Sequence, residues 1–326
     1  MRRRDLIALL GGAAASPIRV AAAQQPTSPV LGFLSGALAR EYVPVTKAFR
    51  LGLEEAGFIE GRNLAIQYRW AEGDYNRLPG LVADLVRLRV AAIVAGGIPP
   101  ALAAKAATAT IPVVFAIGGD PVQLGLVAAL NRPGANVTGV TLMAAELGPK
   151  RLELLHELLP DATNIALLTN PTNPGTANAA KSLQAAARDL GLQLHLLTAT
   201  AEGDFEKAFA ALAEQRASAL IIGPDPLFNS RRDQLAALAI RHAVPTISQI
   251  REFAEAGGLM SYGTSIEDSF RIAGLQTGRL LKGERPAELP VQQTAKVELI
   301  INLKTAKMLG LSFPMTLLGR ADQVIE

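Results

Sequence analysis

The residues able to do chemistry in this chain are single polar groups at the ends of apolar runs. His156, His195 and His242 fall on separate segments and form no metal-spaced pair. Residues 24–326 contain no Gly-x-Ser-x-Gly elbow, no phosphate loop ending in Gly-Lys-Ser/Thr and no strand-linked Gly-x-Gly-x-x-Gly. The chain has no cysteine, which removes disulfides, thiolate catalysis and Cys-based zinc sites. What remains is suited to holding a small molecule: hydroxyl, amide and carboxylate side chains with backbone amides between them. Asp120 can receive an ammonium group as a charge-assisted hydrogen bond, or serve as a helix N-cap beside Pro121, and the two roles are compatible. Asp225, followed by Pro226, is a second such acid. The pair would also serve an acid–base mechanism of a lyase or hydrolase, the one enzymatic reading the residues leave open.

These groups need elements to position them, and the sequence supplies strands and helices in alternation. Val30 to Leu34, Leu64 to Tyr68, Ala91 to Ala95 and Val113 to Ile117 read as short strands, separated by Ala-rich amphipathic stretches around 45–56, 78–88 and 100–109. That order implies a parallel sheet with helices on its faces, and such sheets bind ligands at the loops following the strand ends. Ser35, the loop Gly97-Ile98-Pro99-Pro100-Ala101 and Asp120 occupy those places in the first half. The loop opens a helix whose free amides and dipole can hold a carboxylate, and it reads equally as a βα turn with proline at the helix start. Tyr68 and Trp70 read as packing residues.

From Asn164 onward the same order is written a second time. Leu31 to Ser35 answers to Ile165 to Thr169, Ala71-Glu72-Gly73-Asp74-Tyr75 to Ala201-Glu202-Gly203-Asp204-Phe205, Val90 to Gly96 to Ala217 to Gly223, and Ile111 to Val114 to Val244 to Ile247. Gly57 and Gly191 suit the helix C′ position, and Asp74 and Asp204 suit helix caps. The comparison places Thr169, Asn170 and Asn173 where the first half has Ser35, and Asp225 where it has Ile98. The expectation is two doubly wound lobes whose ligand loops face one another across a cleft, with Asp225 reaching a polar or cationic ligand group on closure. After Gly257 the extra elements weave between lobes. The division expected is residues 28–144 with 258–292 in lobe 1, and 145–257 with 293–326 in lobe 2. Tyr262, near a crossing strand, would stack on a ring or pack in the hinge.

Residues 1–23 read as a separate leader. Arg2, Arg3 and Arg4 precede an uncharged run from Leu6 to Ala15 and a small-residue stretch ending at Ala23, the three parts of a signal peptide. Arg3-Arg4-Asp5-Leu6-Ile7 resembles a twin-arginine export signal, with an arginine-rich Sec leader as the other reading. The apolar stretch is short of the roughly 20 residues a membrane span needs. The leader holds four of the 32 Lys and Arg and one of the 29 Asp and Glu, so the remainder balances at 28 of each. A balanced chain without a basic run lacks the footprint of a nucleic-acid or anionic-membrane binder.

The chain resembles a known family almost end to end. The stretches that carry the likeness are Gly57-Phe58-Ile59-Glu60-Gly61-Arg62-Asn63-Leu64, Tyr68-Arg69-Trp70-Ala71-Glu72-Gly73, Gly119-Asp120-Pro121-Val122 and Arg132-Pro133-Gly134-Ala135-Asn136-Val137-Thr138-Gly139, followed by Pro224-Asp225-Pro226-Leu227-Phe228, Arg251-Glu252-Phe253, Gly257 to Gly263 and Ile301-Asn302-Leu303-Lys304-Thr305-Ala306-Lys307. In this order they are similar to ABC-transporter substrate-binding proteins with a type I periplasmic-binding fold, in a branch that includes aromatic amino-acid binders. The resemblance implies an α/β fold of two Rossmann-like doubly wound lobes joined by a multi-strand hinge. It also implies a soluble periplasmic monomer without a cofactor, which captures an amino acid or related small carboxylate by hinge closure and presents it to an inner-membrane ABC permease without altering it. A sugar is the second ligand class, and a sensory subunit handing its closed form to a membrane receptor is the second role. The family commonly has a hydroxyl residue where this chain has Ile98, a departure that removes a side-chain donor from the ligand loop.

Overall fold

The computed structural model describes residues 28–326 apart from Ala295; the expected leader lies outside the described residues. The first half forms a parallel sheet from β1 (Val30–Ser35), β2 (Ala65–Trp70), β3 (Ala92–Gly96), β4 (Val113–Ile117) and β5 (Val137–Thr141). The second half builds β6 (Asn164–Thr169), β7 (Gln193–Thr198), β8 (Ala219–Ile222), β9 (Thr246–Ser248) and β10 (Met260–Thr264). The chain then contributes β11 (Gln292–Gln293), β12 (Val297–Asn302) and β13 (Gln323–Ile325). The sheet orders are β11-β5-β4-β3-β1-β2 and β13-β12-β10-β9-β8-β6-β7. Among the described strands the β10–β12 pairing alone is antiparallel, and β13 runs parallel to β12. In each half the first strand lies between the second and third, so β1/β3 and β6/β8 are the switch points where such sheets open a crevice at their carboxyl ends.

Sequence explains which strands are central. β3 (AIVAG) and β4 (VVFAI) are unbroken apolar runs buried along their whole length, as strands covered on both faces must be. β7 (QLHLLT) mixes polar and apolar residues and stands at a sheet edge with most side chains exposed or half-buried. Tyr68 and Trp70 pack on Phe33, with ring centroids 5.5 and 5.4 Å away. Gly57 and Gly191 follow their helices with φ of +90° and +70°, the left-handed conformation of a C′ residue. Asp74 caps its turn by accepting from Asn76 N at 3.0 Å. Asp204 works in the other direction, its carboxylate accepting from the amides of Thr200 and Ala201 ahead of it.

The chain passes between the two sheets three times, at 142–147, at Ser265 and between β11 and β12. The second crossing corrects the expected boundary at 258. β10 takes its backbone partners from β9 and β12 and so belongs to the second sheet, and the return to the first half begins with the helix Ile266–Leu281 and continues to β11. The crossings are tied side by side: Thr264 Oγ1 donates to the Leu142 carbonyl at 3.1 Å, and Thr294 N to the Thr141 carbonyl at 3.1 Å.

The returning helix is held against Val43–Glu55 by glycines on both sides. A Cβ at Gly52 would run into the Arg271 carbonyl oxygen, and one at Gly274 into the Phe49 carbonyl with Leu53 N at 2.9 Å. Backbone cannot yield as a side-chain tip can. Gly52→Ala is therefore expected to destabilise the protein by about 1–3 kcal/mol, despite alanine's better helix propensity. The denaturant midpoint measures this, and an unchanged or raised midpoint would refute the close-packing account.

Candidate ligand-binding site

The carboxyl ends of the two sheets meet, and the loops following β1, β3 and β4 touch those following β6 and β8. Gly97 has φ +104°, and a Cβ there would lie 2.6 Å from Pro226 Cγ of the opposite half. Gly118 faces Pro224, with 3.7 Å from its Cβ position to Pro224 Cβ. At the rim Arg232 approaches Glu41 at 3.9 Å, an ion pair of little energetic weight. The described structure is thus a closed form with the loops in contact around internal spaces.

Asp225 is the most heavily bonded group of the cleft. It is 2% exposed and caps the short helix Pro226–Ser230, accepting from Leu227 N at 2.8 Å. Asn173 Nδ2 donates to it at 2.9 Å and Asn170 Nδ2 at 3.4 Å from its own lobe, while Tyr75 Oη donates at 2.7 Å from the other. Burial raises its pKa, and the four donors act against that shift. A carboxyl raised in the folded state stabilises the fold most at pH below its unfolded value, and loses that contribution as pH rises through the folded one. The buried carboxyl group is held by its four donors. One of these crosses between lobes, so Asp225 is itself part of the closure. Tyr75→Phe is expected to weaken ligand binding about 5- to 20-fold, the loss of one hydrogen bond to a charged group made only on closing, with little change in unfolding. Titration calorimetry checks this, and unchanged affinity would remove Tyr75 from the closing contacts.

Ile98 stands at the centre. It lines three adjoining spaces, each partly open to solvent. The first runs into the second lobe past Thr169, Asn170 and Leu167. The second is bounded by Gly97, Asn173, Asp225 and Pro226, with Gln249 on its far wall. The third is lined by Asp120 and Glu146, whose carboxyl is raised in pKa by partial burial. The positions singled out from sequence therefore separate. Gly97, Ile98, Asp120, Thr169, Asn170, Asn173, Asp225 and Pro226 all line at least one space. Ser35, Pro99, Pro100, Ala101 and Tyr262 line none of the three. Ser35 is fully buried, its Oγ accepting from Ala37 N in the turn after β1. Tyr262 packs in the second core. Asp120 accepts from Val122 N at 2.7 Å and Gln123 N at 3.2 Å, so it caps a turn while facing the third space.

The helix Ile98–Ala107 cannot supply the cluster of free amides its position suggests. Its second and third residues are Pro99 and Pro100, which have no N–H, and Ala101 N is already bonded to the Gly97 carbonyl at 3.1 Å. Only the Ile98 amide is left for a ligand in that first turn.

Arg151 is the site residue that sequence reasoning missed. It lies on the helix Gly148–Leu158, is 1% exposed and lines the first space. Its Nη2 donates to the Ala144 carbonyl, whereas Nε and Nη1 have no partner. Burial lowers its pKa to about 10, opposed by nearby Tyr262 and Glu146, so the group stays charged at neutral pH. The signal was available: Arg151 shares a helical face with Leu154, Leu155 and Leu158, where a solvated arginine has no place.

Among the described residues no group of three or more His, Cys, Asp or Glu could hold a metal ion, and no helix is long and apolar enough to cross a membrane. His195 bonds Asn164 at 3.0 Å and His242 packs on Phe209. Residues 41–325 match the family model described as ABC transporter substrate binding protein. The chain is similar to a tyrosine-binding protein of Clostridioides difficile (strain R20291), at 27% identity over 265 residues, covering 81% of this chain and 76% of that one. Among solved structures it is similar to a conserved domain protein from Vibrio cholerae, with TM-score 0.84 and 26% identity over 91% of this chain and 99% of that one. It is also similar to an ABC domain in complex with L-Trp from Streptococcus pneumonia, with TM-score 0.81 and 25% identity over 90% of this chain and 100% of that one.

Proposed function

The chain belongs to the ABC transporter substrate-binding protein family, and on that premise we propose that it captures an amino acid or related small carboxylate between its lobes and releases it unchanged to a permease. The observation that carries this reading is the cleft itself. Loops from the carboxyl ends of two sheets close around adjoining spaces, with Asp225 receiving a donor from the opposite lobe. A molecule filling those spaces contacts both lobes only when they are together, and such differential contact drives hinge closure. The relatives that bind tyrosine and L-Trp support an amino-acid class of ligand. Export through the leader in residues 1–23, by the twin-arginine or Sec route, would place the monomer in the periplasm, where capture for an inner-membrane permease is required.

A thermal-shift screen against amino acids, aromatic acids, other carboxylates and sugars tests this function, because a ligand that binds only the folded state raises its stability by about 2.7 kcal/mol at roughly a hundred times Kd. The expected result is a saturable shift with a compound recovered unmodified. A ligand recovered chemically altered would replace capture with catalysis.

A further inference from the structure

We infer that Arg151 binds the carboxylate of the captured molecule, so that the ligand is a small carboxylate with an apolar body lying between Ile98 and the second sheet. The inference rests on the capture reading above and names the group that the first space recognises. A guanidinium removed from water with two of its nitrogens unpartnered is costly, and its one bond, to the Ala144 carbonyl, uses only Nη2. The other polar side chains of that space are already engaged. Thr169 Oγ1 donates to the Leu197 carbonyl at 2.9 Å, and Thr176 Oγ1 to the Asn170 carbonyl at 2.6 Å. Asn170 gives its amide to Asp225, and its Oδ1 accepts from Thr172 N and Oγ1. Arg151 is thus the polar group with the most donors to offer, Asn170 Nδ2 keeping only a second N–H, and the walls around it are apolar: Ile98, Ala144, Leu167, Ala179, Ile222 and Phe228. One cation in an apolar pocket selects an anion on an apolar body, and a guanidinium's planar donors match a carboxylate. A polyol would leave the charge uncompensated and its own hydroxyls without partners. Glu146 and Asp120 in the adjoining third space admit an ammonium group on the same ligand without requiring one.

The test is calorimetric titration of the full chain with phenylacetate, L-leucine and L-tryptophan, each beside its primary amide, and with glucose and inositol. At least one carboxylate should bind, its amide about 10- to 100-fold more weakly, and Arg151→Met should erase that preference while leaving the amide within a few-fold. Equal affinity for acid and amide, or full carboxylate affinity in the variant, would overturn the assignment. Binding of a sugar alone would overturn it while leaving capture standing, whereas no binding by any compound counts against capture and the assignment together. Should Arg151→Met fail to fold, the comparison of acid with amide on the unaltered protein decides.

Discussion

Gly175→Asn is expected to weaken ligand binding by about 100-fold while leaving the unfolding transition nearly where it was. Gly175 has φ −74° and ψ −15°, a backbone any residue adopts, and it precedes the helix Thr176–Asp189, where asparagine is well accepted. Its need for glycine comes from the opposite lobe. A Cβ at this position would be driven into Ile98 Cδ1, with Ile98 Cγ1 at 3.8 Å and only Asn173 Oδ1, at 3.4 Å, from its own lobe. Ile98, 7% exposed, can retreat only by turning χ2, because its β-branched χ1 is held within the helix Ile98–Ala107. The substitution therefore penalises the closed form and spares each lobe. Gly175→Ala should show a smaller loss, giving a steric series. Titration calorimetry and denaturant unfolding on the same samples separate the two effects. Full affinity in Gly175→Asn would mean that ligand is held without the lobes meeting here.

Asp225→Ala acts on the other side of that balance and is expected to cost about 3–5 kcal/mol of stability, the range for removing one partner from a buried charged network. Four donors lose their acceptor: Leu227 N, Asn170 Nδ2, Asn173 Nδ2 and Tyr75 Oη. The first three belong to one lobe, so the loss appears in that lobe's own unfolding as well as in ligand affinity. The short helix Pro226–Ser230 also loses its cap. Asp225→Asn should fall between, because it keeps one acceptor oxygen but turns an amide donor toward donors. Denaturant unfolding measures both, and a loss under 1 kcal/mol in Asp225→Ala would show that the network is relaxed by water.

The doubled plan was readable because it is local: β1 and β6, and β3 and β8, carry the same apolar runs, β4 and β9 each follow an apolar residue and a proline (Ile111-Pro112 and Val244-Pro245), and the internal comparison led to Asp225 as the counterpart of Ile98. β10 was misplaced because its partners, β9 and β12, are set by pairing across the chain and not by its own residues. The Gly97–Ala101 loop allowed two readings, a source of amides or a turn with proline at the helix start, and Pro99 and Pro100, which have no N–H, weaken the first. Arg151 stood on an apolar face in plain view. What sequence could not show is that its neighbours would be committed elsewhere, Glu153 to Lys150 and Glu157 to Arg320, leaving the cation without a salt bridge among the described residues.

The central claim is that the lobes close on a small molecule, and a distance across the cleft tests it most directly. Gln123 and Ser182 are exposed and line the third space from opposite lobes, and the chain has no native cysteine to compete for label. With fluorophores on Gln123→Cys and Ser182→Cys, energy transfer should rise on addition of a ligand identified by titration and saturate at the same concentration as binding. Unchanged transfer at full occupancy would contradict capture by closure.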